Sequence, residues 1–445
     1  MSVKTSISYR KIWGIAYPIF LTLLVQNLIQ VTDTAFLGRV GEVELGASAL
    51  AGIYYVVVFI IAFGFSTGSQ ILIGRRNGEG NFHQIGEIVI YGLLFLILLA
   101  LVLFGLTRIF SKQILSIILS SPQVLDATME FLNPRMYGIF FSSFNVMFRA
   151  FYVGTTRTKV LSVNAVLMAL CNVFFAYALI FGNFGFPQMG IAGAAIASVI
   201  SEALSVVFFI GYTFFVVDLK KYGFHTQLYK SKGVIGKILD ISSSIMLQNL
   251  LSLGSWFFFF IAVEHLGERP LAVSNIVRSL YMLISIPIFA LAATTNTLVS
   301  NAIGAGKTEE VIDLVWKIIR LAWIIVSGLL LLVLLSPRFF ISIYTTDIGM
   351  IIDTVPTLCV VVLLMPVIAM ANIFFNSVSG TGNTRTALGI ECCVLLIYVS
   401  YTCISTVYLK LPLPICWLNE LIYAFFIFLF CFLYIKKGNW RDKKI

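Results

Sequence analysis

Apolar stretches of about 20 residues or more recur along the whole chain, and short polar stretches separate them. A helix of about 20 apolar residues is long enough to cross the hydrocarbon core of a bilayer, so each stretch predicts a membrane span. Glycine and charged residues cluster in the breaks, as in "GRRNGEGNFHQ" from Gly74 and "GAGKTEE" from Gly304. The pattern predicts twelve spans, at residues 11–37, 46–74, 86–109, 124–152, 160–182, 190–217, 236–263, 270–301, 312–335, 351–378, 387–409 and 415–435.

The composition supports an all-α polytopic membrane protein. Of 445 residues, 59% are hydrophobic and only 11% are charged, whereas a soluble domain carries roughly 25% charged residues. In a soluble protein the net charge of +10 would favour nucleic acid as a partner; here basic cytoplasmic loops explain it better. The seven cysteines and three histidines form no metal-binding or disulfide pattern, so we expect no metal and no cofactor.

The distribution of Lys and Arg predicts the orientation. Breaks on the N-terminal side of the membrane carry 21 of these residues, and breaks on the other side carry seven, among them Arg39 and Arg135. Arg278 and Arg320 lie deeper in their spans. Because cytoplasmic loops carry the excess of positive charge, we expect both termini to be cytoplasmic in a multi-pass protein of the cell's inner (plasma) membrane.

The second half of the chain repeats the first at an offset of about 225 residues. "VQNLIQ" from Val25 returns as "LQNLLS" from Leu247, and "GTTRTK" from Gly154 returns as "GTGNTRTA" from Gly380. The polar stretch 218–237 separates the halves. The repeat predicts two pseudo-symmetric six-helix lobes around a central cleft, at residues 1–217 and 238–445, joined by a cytoplasmic linker at 218–237. Parallel repeats of this kind are used for alternating access.

One acid stands out near the end of the first span. Gln26, Gln30 and Asp33 are spaced i, i+4, i+7 and share a helix face. The second half has only amide and hydroxyl groups at this spacing, in Gln248, Ser252 and Ser255. An ionised acid at the centre of a spanning helix costs about 2.5–3.5 kcal/mol. We therefore expect Asp33 to face the bundle interior as an ion-coupling group held by Gln30; the alternative is an acid at the outer interface, close to water.

Two further acids lie within spans. Glu202 follows the small-residue run "GIAGAAIASVIS", and Ser198 is one turn before it on the same face. We expect both to line the Asp33 pocket. Glu391 lies near the cytoplasmic end of its span, where we expect it to reach water and to be structural. Arg278, a cation inside a span, is expected to pair with an acid or to line the cleft.

The motifs together resemble the multidrug and toxic compound extrusion (MATE) transporters, and specifically their DinF-like branch. The resemblance rests on "TDTAFLGRVG" from Thr32, "IGRRNGEGN" from Ile73 and "GTTRTK" from Gly154, with "GTGNTRTA" in the second half. A further long motif, "NVFFAYALIFGNFGFPQMGIAGAAIAS", begins at Asn172. The motifs occur in order over nearly the whole chain.

This resemblance implies a secondary active antiporter that exports organic cations and other amphipathic compounds in exchange for H⁺ or Na⁺. In DinF-like members the ion site lies in the N-terminal lobe, and its residues carry over to Asp33, Asn172 and Ser198. The second acid of the site does not carry over, because Ala176 occupies its place. Glu202 is a candidate replacement. Since hard cations need several oxygen ligands, the loss of a carboxylate favours H⁺ over Na⁺.

Two other functions remain open at this point. A flippase for lipid-linked oligosaccharide or lipid shares the doubled six-helix plan, but it would be expected to carry several basic residues in its cleft. An intramembrane enzyme would be expected to have clustered acids, a Ser-Lys or Ser-His pair or a metal motif, and we expect no enzyme. We expect a monomer that contacts the lipid bilayer and small molecules, with a substrate cleft lined by Gln26, Gln248, Ser255 and Arg278.

Overall fold

The computed structural model describes residues 7–224 and 233–441, and all regular structure within them is helical. Part of the predicted linker, at 225–232, lies outside the described residues. The first half contains α1 (Tyr9–Leu37), α2 (Glu42–Gly78), α3 (His83–Ile118), α4 (Pro122–Arg135), α5 (Gly138–Gly154), α6 (Lys159–Phe181) and α7 (Gly190–Val216). The second half contains α8 (Val234–Glu264), α9 (Glu268–Gly304), α10 (Val311–Leu335), α11 (Pro337–Ser342), α12 (Ile348–Gly380), α13 (Thr384–Thr402), a π-helix (Cys403–Tyr408), α14 (Leu413–Cys416) and α15 (Asn419–Lys437).

Eleven helices among the described residues are long and apolar enough to cross a membrane. The predicted fourth span, 124–152, is divided between α4 and α5, with only Met136 and Tyr137 between them. Pro134 lies in the last turn of α4 and Gly138 opens α5. Proline removes a backbone donor and glycine has little helix propensity, which explains why the chain breaks its helix here.

Two compact units divide the chain. The N-terminal unit contains residues 21–246, and the C-terminal unit contains residues 1–20 together with 247–445. The predicted lobe boundaries at 217 and 238 stay a prediction.

In the N-terminal unit, α6 and α7 pack closely around small residues. Gly182 ends α6 in the left-handed conformation, with φ of 75°, and the chain turns so that the Met189 N–H donates to the Leu179 carbonyl at 2.8 Å. A Cβ on Gly193 would lie 2.7 Å from the Leu179 backbone. This close approach brings polar residues of the two helices together.

The C-terminal unit has a similarly close contact between α9 and α12. A Cβ on Gly380 would lie 2.6 Å from the Asn296 carbonyl oxygen. Around this contact α9 buries a run of small polar residues, Thr294, Thr295, Thr297 and Ser300. The hydroxyls of Thr294 and Thr295 donate to carbonyls one turn earlier, at Ala290 and Leu291, so burying them leaves no unpaired donor.

The beginning of the predicted linker packs against the N-terminal unit. Tyr222 is buried, and its carbonyl accepts from the Gly86 N–H at 2.9 Å. Its ring meets the Phe151 ring edge-on, and the Arg157 guanidinium lies 5.5 Å from its centroid. Residues 218–224 are therefore attached to α3 and α5.

Candidate functional site

Asp33 lies in the last turns of α1, half-buried within the N-terminal unit. Its carboxylate interacts with the side chain of Asn172 on α6. The Asn172 amide donates to the Ser198 hydroxyl on α7 at 3.3 Å. The structure thus brings together Asp33, Asn172 and Ser198, three of the residues that the sequence analysis predicts for ion coupling.

Two acceptor oxygens in this group are shielded and unpaired. Asp33 Oδ1 and Asn172 Oδ1 have no hydrogen-bond partner among the residues that the structure describes. A shielded acceptor without a donor costs about 1–3 kcal/mol. The arrangement is therefore suited to receive a proton or a cation.

Glu202, the fourth residue predicted for ion coupling, lies on α7 and forms an ion pair that the sequence does not reveal. Arg135, the last residue of α4, donates to both of its carboxylate oxygens, at 2.6 and 3.0 Å. Both side chains are largely shielded, with exposures of 13% and 14%. The Arg135 guanidinium also lies 3.8 Å from the centroid of the Tyr55 ring on α2. Three helices thus meet at this cation.

Arg135 is also within electrostatic range of Asp33. The assignment of Arg135 to an outer polar break is therefore wrong, because its side chain points into the N-terminal unit. The break between α4 and α5 turns the last residue of α4 towards α7. One signal was present in the sequence: Arg135 lies among apolar residues within the predicted fourth span, and such a cation needs an acidic partner.

A chain of amides and hydroxyls continues from Glu202. The Asn145 amide donates to the Glu202 carbonyl at 3.1 Å, and its Oδ1 accepts from Ser205 at 2.8 Å. The Asn164 amide donates in turn to the Ser205 hydroxyl at 2.8 Å. These bonds hold α7 against α5 and α6, and they fix the helix that carries both Ser198 and Glu202.

The other residues predicted near Asp33 form no hydrogen bond with it in the described part of the chain. Gln30 and Gln26 are exposed, and neither forms a side-chain hydrogen bond among the described residues, so Gln30 does not hold Asp33 in this structure. Ala176 is fully buried in an apolar cluster with Leu179 and Ala194, so an apolar residue stands where the second acid is expected. Of the three residues on this helix face, Asp33 is half-buried, whereas Gln26 and Gln30 are exposed, and their roles stay predictions.

The C-terminal unit contains two buried acids of its own. Glu391 is fully buried, contrary to the expectation that it reaches water, and accepts from Ser252 at 2.6 Å and from Tyr423 at 2.9 Å. Glu420, which the sequence analysis missed, accepts from Tyr281 at 3.3 Å and Tyr398 at 3.4 Å. Glu420 lies near the start of the last span, so the sequence alone does not distinguish it from a charged residue at the membrane interface.

The residues expected in a substrate cleft have different surroundings. Gln248 is buried and its Oε1 has no partner among the described residues, whereas Ser255 is half-buried. The Arg278 guanidinium lies 5.2 Å from the centroid of the Phe260 ring. Their role as a cleft stays a prediction. In the described part of the chain, no three His, Cys, Asp or Glu residues are grouped so as to hold a metal ion.

A family model matches the chain twice. The MatE model covers residues 18–178 and again residues 244–404. The chain belongs to the MatE family. The two matches begin at residues 18 and 244, which agrees with the sequence repeat at an offset of about 225. MatE proteins are membrane transporters, so the chain is a transporter and not an enzyme.

Relatives of this MatE protein carry drug-resistance names. The probable multidrug resistance protein NorM of Thermotoga maritima is 24% identical over 365 residues, which is 81% of this chain and 77% of the relative. An outward-facing multidrug resistance MATE family transporter of the MOP superfamily superposes with a TM-score of 0.89 at 19% identity, covering 98% of this chain and 97% of the other. A MOP superfamily transporter from Pyrococcus furiosus, whose pocket has reverse polarity, superposes with a TM-score of 0.86 at 19% identity over 96% of each chain. The MATE fold and the all-α polytopic class are confirmed.

Proposed function

We propose that this MATE protein is a multidrug efflux antiporter of the DinF-like branch, which exports organic cations and other amphipathic compounds in exchange for H⁺. Asp33 is the coupling carboxylate in this proposal. Asn172 and Ser198 form its immediate surroundings, and alternating access exposes the site first to the outside and then to the cytoplasm. The drug-resistance names of the relatives support the substrate class.

One observation carries the choice of Asp33. Asp33 Oδ1 and Asn172 Oδ1 are both shielded acceptors without a donor. A proton on the carboxyl group supplies the donor that these oxygens lack, and its loss leaves a negative charge that attracts a cationic substrate. Proton and substrate therefore compete for one site, which is the basis of exchange.

The ligand set favours H⁺ over Na⁺. A sodium ion needs several oxygen ligands around it, and Ala176 occupies the place of the second carboxylate. The Glu202 carboxylate is not free to replace it, because Arg135 holds both of its oxygens. A proton needs only one acceptor.

A second candidate function is the translocation of an anionic lipid or lipid-linked oligosaccharide. Arg149 on α5 and Arg278 on α9 each stack on a phenylalanine, Phe63 at 5.1 Å and Phe260 at 5.2 Å. Neither forms an ion pair within residues 7–224 and 233–441. Such cations are able to bind a phosphate. The protonatable Asp33 group makes the antiporter the better supported of the two.

The test uses inside-out membrane vesicles and the fluorescent organic cation ethidium. With an acidic lumen, vesicles containing the wild-type protein accumulate ethidium, and vesicles containing Asp33→Asn do not exceed vesicles without the protein. The asparagine keeps the shape of the side chain and removes its titratable charge. Asp353→Asn is the matched control, because Asp353 forms an exposed ion pair with Arg269 and should leave transport unchanged.

Three results would contradict the proposal. Full ΔpH-driven accumulation by Asp33→Asn would exclude Asp33 as the coupling group. Accumulation driven by a Na⁺ gradient without ΔpH would overturn the choice of ion. Protein-dependent movement of a fluorescent anionic lipid analogue between leaflets, without ethidium transport, would favour the lipid function instead.

A further inference from the structure

The Arg135–Glu202 ion pair is energetically expensive where it lies. Desolvating two charges often costs more than their attraction returns, and apolar residues of similar size are commonly as stable or more stable. Arg135 remains charged at any physiological pH. A helix contact alone would not require this pair, so its proximity to Asp33 calls for another explanation.

The surroundings make room for the pair. A Cβ on Gly138 would lie 2.6 Å from Glu202 Oε2 and closer still to Arg135 Nη1, so any larger residue there would have to displace the ends of both side chains. The Tyr55 ring covers the guanidinium on another side, and its hydroxyl is bonded to Ser142 at 2.8 Å. The cation is thus held in one position by Glu202, Tyr55 and Gly138.

The charged and polar groups that face Asp33 come from four helices. Arg135 of α4 and Asn172 of α6 act on its carboxylate directly. Tyr55 of α2 and Glu202 of α7 contact Arg135. Glu202 is one turn from Ser198, which accepts from Asn172. With Asp33 ionised, the two carboxylates and the guanidinium leave one net negative charge. With Asp33 protonated, the group is neutral. Without Arg135, the same group would carry two negative charges.

We propose that Arg135 is a positioning residue, a resident counter-charge that Glu202 holds beside Asp33 and that restricts the site to the exchange of one positive charge per cycle. The proposal rests on the proposed function, in which Asp33 binds the coupling proton. Glu202 and Arg135 act through Asp33 and need not touch the substrate. Removing the charge of Arg135 and removing the charge of Glu202 should therefore change the protonation of Asp33 in opposite directions.

The experiment measures ethidium binding to the purified full-length protein in detergent as a function of pH, by fluorescence. Binding is lost as Asp33 takes up its proton, and the midpoint of this loss is the readout. Arg135→Gln removes the positive neighbour, so Asp33 holds its proton more tightly and the midpoint rises by about one pH unit or more. Glu202→Gln removes the carboxylate that neutralises Arg135, so the full positive charge acts on Asp33 and the midpoint falls by about one pH unit.

Two further variants separate charge from structure. Arg135→Gln combined with Glu202→Gln restores one net negative charge, and its midpoint returns close to that of the wild type. Arg135→Lys keeps the cation, and its midpoint stays close to the wild-type value. If Arg135→Gln does not fold, the downward shift of Glu202→Gln and the wild-type midpoint of Arg135→Lys support the proposal in its place.

A purely structural brace between α4 and α7 gives another pattern. Both single variants would then lose stability while their midpoints stay equal or move in the same direction, and this result would overturn the proposal. Failure of the proposed function itself is recognised separately. A pH-dependent midpoint that persists unchanged in Asp33→Asn would show that Asp33 is not the titrating group.

Discussion

Adding one methyl group at Gly138 should weaken the N-terminal unit measurably. The Cβ of Gly138→Ala would lie 2.6 Å from Glu202 Oε2 and closer to Arg135 Nη1, which is well inside van der Waals contact. The guanidinium has little room to retreat, because the Tyr55 ring centroid lies 3.8 Å away. The ion pair must therefore give up part of its two-bond geometry, in which the donor–acceptor distances are 2.6 and 3.0 Å.

The magnitude follows from the bond that is lost. A hydrogen bond to a charged group contributes about 1.5–3 kcal/mol, and one extra methyl in a packed interior costs about 1–3 kcal/mol. We expect Gly138→Ala to lower the free energy of unfolding by about 1.5–3 kcal/mol, seen as a Tm lower by several degrees in detergent. Gly211→Ala on α7 is the matched control, since nothing lies within 4 Å of its Cβ position and alanine favours a helix.

The assay is thermal unfolding of the purified protein followed by intrinsic fluorescence. Gly211→Ala should melt at or above the wild-type temperature, and Gly138→Ala clearly below it. If the two glycine variants melt at the same temperature, the close packing of the ion pair against Gly138 is refuted.

Two further predictions concern the C-terminal unit and the orientation. Glu391→Ala should destabilise the protein by about 1–3 kcal/mol, because the Glu391 site is fully buried and the half-buried Tyr423 hydroxyl loses its acceptor there. Glu391→Gln should cost less because it keeps an acceptor. Thermal unfolding checks both, and an alanine variant as stable as the glutamine variant would contradict the assignment. The orientation is tested with single cysteines in a background without native cysteines and a membrane-impermeant maleimide. Asn439→Cys should react only after permeabilisation and Ser120→Cys already in intact cells, because both side chains are exposed and lie on opposite predicted sides of the membrane. The reverse labelling pattern would show that the topology is inverted.

Much of the fold follows from the sequence because a bilayer imposes strong rules on composition. A span must be long, apolar and helical, so the predicted spans fall on helices, although the fourth is divided between α4 and α5. The repeat is visible in motifs such as "VQNLIQ" and "LQNLLS". The high cost of an intramembrane acid likewise singled out Asp33 without any structure. The position of a span and the cost of an acid within it depend only on one segment and on the surrounding bilayer, so the sequence is enough to predict them.

Only the tertiary structure decided which side chains meet. Periodicity shows that Glu202 and Ser198 share a helix face, but it does not show which helix lies opposite that face. The partner of Glu202 is Arg135, which is 67 positions away in the sequence. Gln30 shares a face with Asp33 and is nevertheless exposed, while Glu391 near a span end is buried between Ser252 and Tyr423. The break between α4 and α5 and the contacts between α4 and α7 determine these pairings, because they depend on how helices are rotated and packed against each other.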